Sequence, residues 1–131
     1  MRYKNNPANI RYVAFNKWKG MIEPSNGFCQ FESLDYGLRA LIVLLRGYIK
    51  RGFNTPEKII NRFCPSDDRT GKNDTSLYIR YICDYLHITC DTPIIYNSNL
   101  FYFLCVKICH VETNTVIGAL DILLIIKKFK L

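Results

Sequence analysis

Two glutamates stand in settings where a carboxyl group could act as an acid. Glu112 belongs to the segment I-C-H-V-E-T-N and ends a long apolar run over residues 101–111. An apolar setting removes water from a carboxyl group, so its pKa rises and it can donate a proton near neutral pH. Glu23, just before Pro24, is the second candidate. Acids of this kind cleave glycosidic bonds, but each residue could equally be a solvated glutamate at a helix end or in a loop.

Amides and aromatic rings suited to binding sugars are concentrated near the N-terminus. Residues 5–12 read N-N-P-A-N-I-R-Y, and Trp18 follows in W-K-G. Amide groups of Asn6 and Asn9 can both donate and accept hydrogen bonds, while an indole ring offers a flat apolar face to a sugar ring. The alternative interpretation is a structural turn with a tryptophan in the core.

These candidates require a fold that brings them together. Residues 1–31 contain turn-forming Asn, Pro and Gly between β-prone pieces at 10–15 and 28–31, which predicts a small lobe of loops and strands. Beyond Ser33, apolar residues recur at spacings of three and four, which predicts five helices. Their expected ranges are 34–50, 56–64, 75–86, 97–110 and 114–128, with a strand as an alternative for the fourth.

Charge and cysteine content limit the partners. The 131-residue chain carries a net charge of +7, which favours nucleic acid, anionic lipid or an acidic wall polymer. The six cysteines include no C-x-x-C pair, and Cys105 and Cys109 lie one helical turn apart in an apolar run, so free thiols and no metal site are expected. The N-terminus lacks the apolar core of a signal peptide, which predicts synthesis in the cytoplasm. The apolar stretch 116–126 is interrupted by Asp121, so no membrane span is expected.

An ordered series of motifs over residues 5–86 resembles a known group of proteins. The series comprises N-N-P-A-N-I-R-Y, W-K-G, F-C-Q-F at 28–31, D-Y-G-L-R-A at 35–40, N-T-P-E-K-I-I-N-R-F-C-P at 54–65 and N-D-T-S-L-Y-I at 73–79. It is similar to small phage and prophage proteins described as virion structural proteins or peptidoglycan hydrolases. A looser similarity extends to glucosaminidases and lytic transglycosylases of the lysozyme superfamily.

The resemblance implies a lysozyme-like fold whose N-terminal lobe lines a glycan-binding groove. Asn6, Asn9, Arg11, Trp18 and Tyr36 would then lie near that groove. Relatives in the superfamily place the catalytic glutamate on a helix before the Asn-rich motif, and no such helix precedes it here. A circularly permuted fold would let Glu112 occupy the acid position. The family's E-N-D-T is K-N-D-T at 72–75, so any role of that glutamate is lost or has moved to Asp67 or Asp68.

The sequence therefore predicts a single, mainly α (α+β) domain over residues 1–131, with a β/loop lobe at 1–31 and helices over 33–128. The expected function is binding and cleavage of peptidoglycan glycan strands, without cofactor, as a muramidase, glucosaminidase or lytic transglycosylase. It would act at the bacterial wall, within a virion or at lysis. A non-enzymatic virion-associated or wall-binding protein is the first alternative. A basic helical nucleic-acid-binding protein is the second, disfavoured because no helix clusters Arg and Lys.

Overall fold

A computed structural model describes residues 1–68, 71–72 and 74–131, with the backbone alone at 67, 68, 71 and 72. The side chains of Asp67 and Asp68 thus lie outside what is described. Within these ranges the chain forms five helices and two short antiparallel hairpins. In chain order they are β1 (Met21–Ser25), β2 (Phe28–Phe31), α1 (Leu34–Lys50), α2 (Pro56–Phe63), β3 (Asp67–Asp68), β4 (Gly71–Lys72), α3 (Thr75–Leu86), α4 (Asn99–Thr113) and α5 (Ala119–Phe129).

The core is built around α4, which is apolar on most of its surface. Phe101, Leu104, Cys105, Ile108 and Cys109 of this helix are fully buried. Helices α3 and α5 both pack on α4, and α1 packs on α5, α2 and the β2 strand. The prediction of a mainly helical fold with a small N-terminal β lobe is confirmed, and the 97–110 segment is helix rather than strand.

Helix starts follow the local capping chemistry. The side chains of Ser33, Thr55, Asp74 and Ser98 each accept a hydrogen bond from the backbone N–H three residues later. Such caps satisfy amide groups that lack partners in the first turn. Pro56, directly after Thr55, occupies the first helical position, where its missing N–H has no effect. The starts of α1, α2 and α3 therefore agree with the prediction to within a residue, whereas α4 begins two residues later than expected.

Three predicted boundaries and one predicted strand are wrong, and the first is the start of α4, which lies at Asn99 instead of residue 97. Helix α4 continues to Thr113, so Glu112 lies in its last turn and does not follow it. Asn114 then adopts the left-handed conformation, with φ 55°, which ends α4 and delays the start of α5 to Ala119. Residues 10–15 form no strand beyond a single bridge from Arg11 to Phe28.

The strand paired with Phe28–Phe31 is instead Met21–Ser25, which sequence patterning missed because it contains Pro24. Proline is tolerated there because the strand lies at an edge of the two-stranded sheet. Asn26 and Gly27 connect the strands with positive φ at both positions, the conformation that a tight hairpin requires. This hairpin is the β part of the N-terminal lobe.

Candidate functional site

The candidate site is defined by the contact between Asn9 and Glu112, which are 103 residues apart in the chain. The Asn9 Nδ2 donates to the Glu112 backbone carbonyl at 3.0 Å and to its carboxylate Oε1 at 3.2 Å. A neighbouring contact holds the same two segments together, because the Thr113 hydroxyl donates to the Pro7 carbonyl at 2.8 Å. The Asn-rich turn is thereby fixed on the last turn of α4.

Asn6 makes this turn rigid. It is fully buried, and its Nδ2 donates to the carbonyls of Ile10 and Cys29 at 3.0 and 2.8 Å. Its Oδ1 accepts the N–H of Ile10 at 2.9 Å. Both of its N–H donors and its side-chain oxygen are thus engaged inside the protein, as is usual for a buried polar group. The sequence had predicted that Asn6 contacts a glycan. This prediction is wrong, because Asn6 is fully buried, where it holds the turn that carries Asn9.

The Glu112 carboxyl is half-buried in a setting that favours its protonated form. Burial raises its pKa, and this effect exceeds the opposing influence of Tyr78, Asn9 and Arg11. The Tyr78 hydroxyl lies against this carboxyl, is buried, and forms no hydrogen bond of good geometry with a described residue. Burial also raises the Tyr78 pKa well above its ordinary value, so the hydroxyl keeps its proton. The arrangement therefore makes Glu112 a weaker acid than a solvent-exposed glutamate.

Two adjoining cavities open beside this carboxyl, and we refer to them together as the cleft. The inner cavity has a volume of about 250 Å³, and its wall includes Asn9, Arg11 and Trp18. The outer cavity, of about 910 Å³, shares Trp18 with the inner one and extends along α1 and α2 to Arg51. Arg62 borders both cavities. Glu112 itself lines neither, but it interacts with two wall residues, Asn9 and Arg11.

The structure brings together only part of the predicted set. Asn9, Arg11 and Trp18 line the inner cavity, and Glu112 interacts with Asn9 and Arg11. Tyr36 lines neither cavity of the cleft: its ring packs 5.5 Å from the Phe129 ring and covers Gly20. Glu23 is exposed on β1 and also lies outside the cleft wall, with its backbone carbonyl accepting from Gln30.

Sequence reasoning missed four residues of this region. Tyr78 lies on α3, and nothing in its spacing along the sequence indicates that its hydroxyl interacts with Glu112. Tyr48, Arg51 and Arg62 belong to the ends of two helices whose relative packing the sequence does not specify. The only available signal was the abundance of basic residues between 39 and 62.

Comparisons with protein-family models and with curated proteins give no match for this sequence.

Among the described residues, no group of His, Cys, Asp and Glu is arranged to hold a metal ion. None of the described helices is both long enough and apolar enough to cross a bilayer. The six cysteines are free thiols, and Cys29, Cys105 and Cys109 are buried.

Proposed function

We propose that this protein binds and cleaves glycan strands of peptidoglycan, with Glu112 as the acid. The observation that carries the proposal is the contact of Asn9 with the Glu112 carboxyl, because it joins the Asn-rich motif to a carboxyl group of raised pKa that contacts the cleft wall. In the resembled superfamily that motif follows the catalytic glutamate along the chain. Here the glutamate comes last, which agrees with a lysozyme-like fold in circularly permuted order.

The chemistry of the cleft favours a mechanism that needs one carboxyl group. No Asp or Glu is among the described residues that line the two cavities, whereas hydrolysis by paired carboxylates needs a second one across the scissile bond. A protonated Glu112 would give its proton to the glycosidic oxygen as the bond breaks. It would then accept a proton from a hydroxyl of the same sugar that closes onto the anomeric carbon. This balance of protons is that of a lytic transglycosylase.

Binding of the strand would depend on Trp18 and Asn9. The half-buried Trp18 presents its ring to both cavities, and aromatic faces pack against the C–H surface of sugar rings. Asn9 already uses Nδ2 on Glu112, which leaves its Oδ1 as an acceptor for a sugar hydroxyl or acetamido N–H. Action at the bacterial wall, from a virion or at lysis, belongs to the same proposal and follows from the resemblance alone.

A second candidate, wall binding without cleavage, is favoured by one observation. Glu112 is not itself part of the described cleft wall, although its carboxyl interacts with two wall residues, Asn9 and Arg11. A strand seated on Trp18 would meet the acid only at that edge. The two candidates share the cleft and differ in whether a bound strand is cut.

Clearing of a suspension of bacterial walls by the purified protein tests the proposal. Glu112→Gln retains the shape of the side chain and removes the transferable proton, so activity should fall on the order of a hundredfold or more. Glu32→Gln is the matched control, because Glu32 is exposed and lies outside the cleft wall. Binding of wall fragments should survive in Glu112→Gln and weaken in Trp18→Ala.

Three results would contradict parts of this scheme. Full activity in Glu112→Gln would show that another group is the acid, and loss in Glu23→Gln would then identify Glu23. Binding without any clearing by the unaltered protein would establish the wall-binding candidate. Unchanged binding in a folded Trp18→Ala variant would show that the strand does not occupy the cleft.

A further inference from the structure

The outer cavity of the cleft is bordered by two arginines from different helices. Arg51 caps the C-terminal end of α1, and Arg62 lies in the last turn of α2. Both side chains are exposed, and neither forms an ion pair with a described residue. The described wall of both cavities contains no carboxylate that could balance them. An uncompensated pair of cations in a concave surface attracts anions.

Aromatic contacts hold these two guanidinium groups in position. Arg51 and Arg62 lie 5.7 and 5.9 Å from the centre of the Tyr48 ring, and Arg62 is also 4.5 Å from that of Phe53. Such contacts restrict the arginine side chains, so less conformational freedom is lost when they bind a ligand.

We propose that Arg51 and Arg62 bind the carboxylates of acidic peptides attached to the glycan strand. This inference rests on the proposed function, because it assigns the strand to Trp18 and the peptide to the outer cavity that Trp18 also lines. Arginine forms paired hydrogen bonds with a carboxylate, which gives both affinity and orientation. A strand that carries acidic peptides is therefore preferred over a neutral one of the same sugars.

Nucleic acid would also provide anions, but the described wall of the cleft presents few rings on which successive bases could stack. The Tyr48 ring is only 8% exposed and its surroundings include both guanidinium groups. Of the rings on the described wall, Phe15 is 85% exposed and Trp18 is half-buried, so these two offer stacking faces. Binding of single strands depends on a series of stacked bases along a basic groove. The geometry thus favours carboxylates over a nucleic-acid backbone.

Calorimetric titration of the full chain with three soluble probes tests this assignment. The probes are a disaccharide–tetrapeptide released from bacterial walls, neutral chitotetraose, and an oligothymidylate. The double variant Arg51→Gln, Arg62→Gln should lose affinity for the disaccharide–tetrapeptide on the order of tenfold or more, the usual worth of charge-assisted hydrogen bonds. Its affinity for chitotetraose should not change, since the Trp18 surface is retained.

Matched variants separate charge from folding and from overall electrostatics. Arg80→Gln removes a positive charge from an exposed position on α3, outside the cleft wall, and should leave all affinities unchanged. The double variant Arg51→Lys, Arg62→Lys keeps both charges. Its affinity for the disaccharide–tetrapeptide should lie between that of the unaltered protein and that of Arg51→Gln, Arg62→Gln. Equal losses in the lysine and glutamine variants, or equal losses for the charged and neutral probes, would overturn the assignment. Tighter binding of oligothymidylate than of the disaccharide–tetrapeptide would replace it with nucleic-acid binding.

The outcome is separable from that of the proposed function. Lytic activity that depends on Glu112, with probe affinities insensitive to both arginines, would leave the enzyme proposal intact and refute the arginine assignment. Arginine-dependent binding of the disaccharide–tetrapeptide by a protein without lytic activity would support the arginine assignment and refute the enzyme proposal.

Discussion

Replacement of Asn9 by alanine tests the contact that joins the two ends of the candidate site. The substitution removes both hydrogen bonds from Nδ2 to Glu112. It also places alanine at φ 52°, a left-handed conformation that asparagine tolerates far better. Asn9→Ala should therefore weaken the fold and change the titration of Glu112 at the same time.

The expected loss of stability can be estimated from these parts. A hydrogen bond to a backbone carbonyl contributes about 1 kcal/mol, and one to a charged carboxylate contributes about 1.5–3 kcal/mol. The left-handed conformation costs alanine about 1–2 kcal/mol. Because Glu112 is only half-buried, we take the lower ends of these ranges and expect a loss of about 3.5 kcal/mol. Domains of this kind have about 5–15 kcal/mol of stability, so the variant remains folded.

Urea unfolding of Asn9→Ala beside Asn26→Ala measures the hydrogen-bond part alone. Asn26 has φ 51° in the exposed β1–β2 turn, and its side chain makes no hydrogen bond with the described part of the chain. Asn26→Ala thus reports the backbone cost, and the difference between the variants reports the contacts of Asn9. Equal losses in the two variants would refute the role of Asn9.

The activity profile provides a second readout of the same variant. The hydrogen bond from Asn9 lowers the pKa of Glu112, in opposition to burial. Its removal should raise that pKa further, so the loss of activity at high pH should move to higher pH. A shift toward lower pH would contradict this interpretation.

Three further predictions follow from other parts of the structure. Because the folded-state pKa of Glu112 is raised, its contribution to stability is present at low pH and is lost as pH rises through that pKa; Glu112→Gln should flatten this pH dependence in thermal unfolding. Iodoacetamide should label exposed Cys90 in the native protein, whereas Cys109, whose pKa burial raises to about 12, should react only after unfolding; equal rates would contradict this. Gly37→Ala should destabilise the protein by about 1–3 kcal/mol, because a Cβ there overlaps the Asn5 carbonyl, whereas Gly47→Ala on the same helix has room and should stabilise it.

The helical part of the fold could be predicted because its signals are local. Ser33, Thr55 and Ser98 cap their helices through side chains that reach only three residues ahead. Helix ends were predicted wrongly where a backbone conformation, and not a side-chain cap, ends the helix. Asn114, for example, adopts the left-handed conformation and ends α4. The β1 strand was missed because Pro24 argues against a strand unless the strand is known to be at an edge.

The candidate site could be predicted only in its parts. Asn9, Trp18 and Glu112 were singled out by residue type, but their relative positions depend on packing between segments about a hundred residues apart. Asn6 shows the limit of such reasoning, because an amide suited to bind a sugar is equally suited to bond buried backbone groups. Arg51 and Arg62 meet at Tyr48 only after α1 and α2 have packed.

The attachment of the Asn-rich turn to the end of α4 also determines when the site can form during synthesis. The segments that carry Asn9 and Pro7 are made first, but their partners Glu112 and Thr113 are made near the end. While the chain is still being synthesised, the Asn-rich turn is therefore present before Glu112 has been added. Contacts so distant in sequence also slow folding, since the intervening loop must close before they form. A chain that terminates before α4 is complete therefore lacks Glu112 and Thr113, and with them the contacts that join the two parts of the candidate site.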